Sequence, residues 1–278
     1  MSRTVALPSG ERLPAFGVGT WRMGERAASR ATEVAAIRRA LDLGVRLVDT
    51  AEMYGDGGAE EVVGEALAGR RDDVVVVSKV TPHNASRRGT AAACERSLAR
   101  LRTDRIDLYL LHWRGNYPLA ETLDAFERLK DAGKIRHWGV SNFDADDLRE
   151  LAALPAGGAC AANQVYYSAS TRGVEFDVAP WLRERSMPLM AYCPLDEGRL
   201  AGDATLAAIG ARIGASAAQV AIAWLASRPG VIAIPKASAD RHLRENVAAA
   251  ALDLDSDALA EIERRFPAPR RATALRIV

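Results

Sequence analysis

Lysine is scarce in this chain: among 37 basic residues only Lys79, Lys130, Lys134 and Lys236 are lysines, and arginine carries the rest. Where arginine supplies the generic surface charge, a lysine at a rim of strand ends points to work for a compact ammonium beside a phenol or a phosphate. An excess of one sign of charge is also missing, since 37 basic against 36 acidic residues leave a net charge of +1 spread along the chain. That pattern offers no electrostatic footprint for nucleic acid. Cysteine is limited to Cys94, Cys160 and Cys193 without CxxC spacing, which excludes a disulfide framework. No apolar run approaches the roughly 18 residues of a membrane span, and no basic segment followed by an apolar stretch opens the sequence. A reduced, soluble, cytoplasmic protein is expected. The four histidines, His83, His112, His137 and His242, form no HxH or HExxH group, so no catalytic metal is expected. The Rossmann pattern GxGxxG is absent as well. Gly17-Val18-Gly19 meets Arg22 at its last position and Gly55-Asp56-Gly57-Gly58 meets Glu60, so the second stretch reads as a flexible loop.

What is present is a rhythm. After a hairpin over Thr4 to Leu13, turning at Pro8-Ser9-Gly10, and a short strand over Phe16 to Thr20, helical and strand patterns alternate to the end of the chain. Helical spacing covers Thr32 to Leu43, Ala59 to Ala68, Gly89 to Leu101, Leu119 to Ala132, Asp144 to Leu154, Val178 to Arg185, Ala204 to Ile213, Ala217 to Ser227 and a segment from Ala239. Strands lie between them, ending at Asp49, Ser78, Leu111, Val140, Val165, Tyr192 and Ile234. The all-valine run Val74 to Val77 suits a parallel strand buried on both faces. Eight such units in 278 residues predict a (β/α)8 TIM barrel, an α/β fold, forming a single domain over 1–278, with the hairpin as a plug and extra helices. A last helix, Ser256 to Phe266, and the tail Pro267 to Val278 fall outside the count.

In such a barrel chemistry gathers at the C-terminal ends of the strands. Asp49 with Tyr54, Lys79 and His112 follow three successive strands, so one rim receives a carboxylate, a phenol, an ammonium and an imidazole. Tyrosine has a pKa near about 10. It can serve as a proton donor and acceptor if a neighbour stabilises the phenolate, and Lys79 is the candidate. Two unit charges about 4 Å apart at an effective dielectric near 20 interact by about 4 kcal/mol. Asp49 would pair with Lys79. Further round the rim, Ser141, Asn142 and Gln164 offer hydroxyl and amides, and Tyr192 offers an aromatic face, a set that suits a nicotinamide ring with its carboxamide. Lys236 and Ser238, just before a helix from Ala239, make a phosphate site.

These residues carry a resemblance that spans essentially the whole chain. GTW at Gly19 to Trp21, D-T-A-x-x-Y at Asp49 to Tyr54, SK at Ser78-Lys79, LLHW at Leu110 to Trp113, GVSNF at Gly139 to Phe143, NQ at Asn163-Gln164, AYCPL at Ala191 to Leu195 and IPK at Ile234 to Lys236 resemble the aldo-keto reductases. The resemblance implies the tetrad Asp49, Tyr54, Lys79 and His112, and NADP(H) as cofactor with NAD(H) as the weaker alternative. It implies cofactor contacts from Gly19, Thr20, Asp49, Ser141, Asn142, Gln164, Tyr192, Cys193, Pro194, Leu195, Lys236, Ser238, Glu245 and Asn246. His242 stands where many members place an arginine on the adenosine 2′-phosphate, and Ala237 stands where a hydroxyl is common. It also suggests a monomer.

The chemistry expected is hydride transfer from the nicotinamide to a small aldehyde or ketone. Tyr54 acts as general acid and base, and His112 orients the carbonyl oxygen. Trp21, Tyr54, His112 and Trp113 are the expected substrate contacts. Short loops after Trp21, Trp113 and Cys193 suggest an open pocket for small aldehydes or 2-oxo aldehydes. Two alternatives stand beside this one: a Schiff-base aldolase with Lys79 as nucleophile, and a cofactor-binding regulatory subunit on the same fold.

Overall fold

Side chains alternate between the two faces of a strand, and this alternation sorts the protein into an inner and an outer layer. The computed structural model describes residues 3–278. An antiparallel hairpin, β1 (Thr4–Ala6) with β2 (Arg12–Pro14), comes first. One parallel sheet follows in chain order: β3 (Val18–Gly19), β4 (Leu47–Asp49), β5 (Val75–Val80), β6 (Ile106–Leu111), β7 (Ile135–Ser141), β8 (Asn163–Tyr166), β9 (Leu189–Tyr192) and β10 (Val231–Ala233). The sheet curls until its two edges meet. Gly17 N–H donates to Ala233 O at 2.9 Å, Ala233 N–H to Ala15 O at 3.0 Å, and Gly19 N–H to Pro235 O at 3.1 Å.

Leu47, Val77, Leu108, Leu110, Met190, Ile232 and Ile234 form an inner cluster together with Leu7 and Leu13 of the hairpin. Val48, Val76, Val80, Tyr109 and Leu111, the residues between them, belong to the outer core under the helices. The helices are α1 (Arg30–Asp42), α2 (Gly58–Ala66), α3 (Arg87–Leu101), α4 (Leu119–Asp131), α5 (Ala145–Ala153), α6 (Val178–Glu184), α7 (Ala204–Ile213), α8 (Ala217–Ala226), α9 (Asp240–Ala249) and α10 (Ser256–Arg265). Capping sets several starts. Ser216 and Gln219 make the expected reciprocal box at α8, and Asp144 with Asp147 makes one at α5.

Alternation also positions the site. Leu47 faces inward, so Asp49 does; Val77 carries Lys79, Leu110 carries His112, and Met190 carries Tyr192 to the same side. The registers stagger them by two residues from strand to strand, with Asp49 opposite Val77 and Lys79 opposite Leu110.

Three features differ from the sequence expectation. Strand β5 continues to Val80, so Lys79 lies within the ladder instead of at its end. Helix α3 starts at Arg87 and not Gly89, because the Ser86 hydroxyl accepts from Gly89 N–H and caps the turn before it. Gly55 to Gly58 form a packed turn instead of a flexible loop: Gly55 and Gly57 have φ of +59° and +86°, and a Cβ on Gly58 would come 2.4 Å from Gly24 O. These glycines serve close backbone approach, and the turn they lock begins at Tyr54.

A contrast between two left-handed glycines tests this. Gly24→Ala would put a Cβ 2.1 Å from the Gly58 carbonyl carbon, whereas Gly44→Ala meets nothing within 4 Å. In urea melts Gly44→Ala should cost about 1 kcal/mol, the left-handed penalty alone. Gly24→Ala should cost about 3 kcal/mol or more, because overpacking adds to it. Equal losses would remove the packing argument for the turn.

Candidate active site

A buried ammonium needs acceptors for each of its three hydrogens, since an unpaired charge in the interior is costly. Lys79 is fully buried and finds three: Asp49 Oδ2 at 2.8 Å, Thr50 O at 2.8 Å and the Tyr54 hydroxyl at 3.3 Å. The other Asp49 oxygen accepts from Gln164 Nε2 at 2.7 Å, so the carboxylate ties β4 to both β5 and β8. The segment between Asp49 and Tyr54 is anchored separately. Glu52 Oε1 accepts from Thr81 N–H at 2.8 Å and from Asn84 Nδ2 at 2.9 Å.

Burial sets the protonation of this group. It pushes the Tyr54 phenol well above its usual pKa, and the Asp49 charge pushes the same way. Burial lowers the Lys79 pKa against the pull of the Asp49 carboxylate 2.8 Å away, which favours the ammonium. The expectation that Lys79 favours the Tyr54 phenolate meets a stronger opposing effect: Asp49 compensates the lysine charge, desolvation dominates, and the phenol keeps its proton. Burial, aided by the Lys79 charge, holds His112 well below the ordinary histidine range, so its imidazole is neutral.

These groups open onto a cavity of about 640 Å³. Asp49, Tyr54 and His112 reach it, with Trp21 and Trp113 in its wall; the His112 ring lies 5.7 Å from that of Tyr54 and 4.8 Å from that of Trp113. Lys79 stays behind Tyr54, outside the lining. Gly19, Ser141, Asn142, Gln164, the run Tyr192 to Leu195, and Lys236 line the cavity as well. Tyr192 donates to Asn142 Oδ1 at 2.8 Å, and Asn142 Nδ2 donates to His112 O at 3.0 Å, which holds the amide beside the ring. Thr20, Ser238, His242, Glu245 and Asn246 do not line it. The Thr20 hydroxyl donates to Asp49 O, while Ser238 lies half-buried just before α9 and His242 is exposed on it.

A model of the Aldo/keto reductase family matches residues 15–265. The chain belongs to the aldo/keto reductase family. Among similar proteins, the methylglyoxal reductase YeaE of Escherichia coli K12 is 51% identical over 271 residues, covering 96% of this chain and 95% of that protein. The glyoxal reductase of Bacillus subtilis is 33% identical over 275 residues, covering 96% of each. A crystal structure of an aldo-keto reductase from Klebsiella pneumoniae in complex with NADPH matches with a TM-score of 0.97 at 47% identity over 100% of both chains.

The residues of this aldo/keto reductase fit a dinucleotide on several counts. A Cβ on Gly19 would stand 3.1 Å from Ile234 O, so glycine keeps the floor there low. Helix α9 starts at Asp240 without a side-chain cap on Ala239, leaving N–H groups free for phosphate oxygens. Lys236 makes no ion pair among the described residues. The arginines that flank His242 are engaged, Arg241 with Glu245 and Arg244 with Asp240, each at 2.8 Å.

Sequence reasoning missed Arg22, Met53, Glu197, Gly198, Ile277 and Val278, all in the lining. The last two belong to the tail that was left outside the barrel. It returns across the mouth, so the pocket is less open than the short loops suggested. An arginine between apolar residues at Leu275 to Val278, after a proline-containing break, was the available signal.

Lys79→Met should destabilise the protein by about 3–5 kcal/mol in urea unfolding, because Asp49 is left charged and buried. Adding Asp49→Asn should recover part of that loss. A double variant no more stable than Lys79→Met alone would mean that the pair is not what the surroundings are built to hold.

Proposed function

We propose that this chain reduces small aldehydes and 2-oxo aldehydes with NADPH, using Tyr54 as the general acid, on a single closed (β/α)8 barrel domain over 1–278. The observation that carries the reading is the hydrogen bond from Lys79 Nζ to the Tyr54 hydroxyl at 3.3 Å, with the other ammonium hydrogens on Asp49 and Thr50. An oxygen that accepts from an ammonium on one side turns its own proton to the other side, toward the cavity.

When bound, NADPH supplies the hydride. Tyr54 then gives its proton to the carbonyl oxygen as charge develops there, and Lys79 stabilises the phenolate that is left. His112 Nδ1 is buried without a partner. The tautomer with its hydrogen on Nε2 avoids burying an unpaired donor and leaves a neutral donor for the same oxygen. Tyr192 offers the ring face for the nicotinamide, and Ser141, Asn142 and Gln164 offer polar atoms for its carboxamide. Trp21 and Trp113 shape the space beyond the carbonyl, and the names of the relatives from Escherichia coli and Bacillus subtilis point to 2-oxo aldehydes as its occupants. NADPH is preferred over NADH through Lys236 and the start of α9, and the preference is modest because Arg241 and Arg244 are already paired.

The aldolase alternative asks Lys79 to attack a carbonyl. Its nitrogen is held by three acceptors behind Tyr54, out of line with the cavity, which disfavours a nucleophilic role. Tyr54→Phe is the direct test of the acid. The rate of NADPH-dependent methylglyoxal reduction should fall by about 10²- to 10⁴-fold, with NADPH binding unchanged. Unchanged turnover would remove Tyr54 from the acid role.

A further inference from the structure

Residues 267–278 form no strand or helix, and none of them takes part in a backbone-to-backbone hydrogen bond among the described residues. Contacts through side chains hold this stretch, including a long one from the Tyr192 hydroxyl to the Arg276 carbonyl oxygen at 3.5 Å. Leu275 packs against the outer core, and Thr273 lies against Gly173. Arg276 then makes the only ion pairs of the segment among the described residues: Nη1 to Asp196 Oδ1 at 3.0 Å and Nη2 to Glu197 Oε1 at 2.9 Å.

Both carboxylates sit on the loop after β9, at residues with left-handed φ of 52° and 57°. Asp196 is buried and also accepts from the Tyr166 hydroxyl at 2.6 Å and from Arg199 at 2.9 Å. Burial alone would raise its pKa, but the donors from Arg199, Tyr166 and Ser170 hold it down at about 2, so it stays charged at working pH. The Arg276 guanidinium also lies 4.6 Å from the centre of the Tyr166 ring. Tyr166 in turn stands edge-on to Tyr192 at 5.4 Å. One guanidinium thus touches the loop that walls the cavity and the ring that supports Tyr192. The two residues beyond it, Ile277 and Val278, line the cavity while remaining 54% and 52% exposed. That exposure leaves Arg276 as the attachment at the mouth.

We propose that Arg276 is a positioning residue, a latch that pins the C-terminal strap to the Asp196–Glu197 loop across the cofactor groove and so governs how fast the nucleotide leaves. The proposal rests on the reading of this cavity as an NADPH site. Segments held by few contacts open locally at low cost, and here that cost is dominated by two partly exposed ion pairs that salt can screen.

Stopped-flow tryptophan fluorescence reports the release directly, since Trp21 and Trp113 line the cavity. NADPH bound to the full-length protein is chased with excess NADP⁺, in low salt and in about 1 M NaCl, where the screening length shrinks to roughly 3 Å. Arg276→Ala should release NADPH about 3- to 10-fold faster than wild type at low salt. Arg276→Lys should be intermediate, because it keeps the charge but loses the fork and the stack. High salt should speed release from wild type by a larger factor than from Arg276→Ala, where only the phosphate contacts are left to screen, with the melting temperatures of all three proteins alike. Equal release rates for wild type and Arg276→Ala, or the same acceleration by salt in both, would overturn the latch while leaving the NADPH site standing. If NADPH binds neither protein, the functional reading itself fails and the latch falls with it.

Discussion

The buried ammonium of Lys79 is the constraint on which the site depends. A charge taken out of water is tolerated only when its surroundings replace the hydration it lost. Here the replacement comes from one neighbouring strand and the segment after it: Asp49 at the end of β4, the Thr50 carbonyl just after it, and the Tyr54 hydroxyl on the turn that follows. The same demand fixes Asp49, which must serve Lys79 with one oxygen and Gln164 with the other. Moving any one of these groups leaves another unsatisfied, so the inner rim of the sheet is a single polar unit.

In the proposed mechanism that unit makes a reactive group out of an ordinary one. In water a phenol near pKa 10 is a weak acid. In this cavity burial holds the proton on Tyr54, and the lysine behind it lies 3.3 Å from the phenol oxygen, where the proposed mechanism has it stabilise the anion. Charge stabilisation already in place when a proton leaves needs no reorganisation at that moment. Local backbone strain clusters at the same place. Of the eight non-glycine residues with left-handed φ among the described residues, Arg22, Asn142, Cys193 and Glu197 line the cavity. Strain of this kind persists where surrounding contacts over-determine the chain.

Much of this was legible because strand alternation has a period of two. Once the strand endings were recognised, Asp49, Lys79, His112, Gln164 and Tyr192 could be assigned to one rim, and the structure brings all five to the inner face at one end of the sheet. The tail was not legible in the same way. Pro267 to Val278 has no periodicity, and its course is set by side chains such as Leu275 and Arg276 meeting partners distant in sequence. The turn at Gly55 to Gly58 was misjudged because glycine reads as freedom when only its neighbours along the chain are known. Its partner there is Gly24, about thirty residues away. The direction of the Tyr54 pKa shift was missed for a related reason: sequence shows which charges are near, but burial decides which effect wins.

The pH dependence of the single-turnover rate of NADPH oxidation by saturating methylglyoxal tests the central claim most directly. With the proton held on Tyr54 and His112 neutral, the rate should stay level from roughly pH 6 to 9 and fall only above about pH 10, as the raised phenol pKa is approached. A break near pH 6.5 that disappears in His112→Asn would contradict the account, because it would show that histidine and not the lysine-backed tyrosine controls the proton.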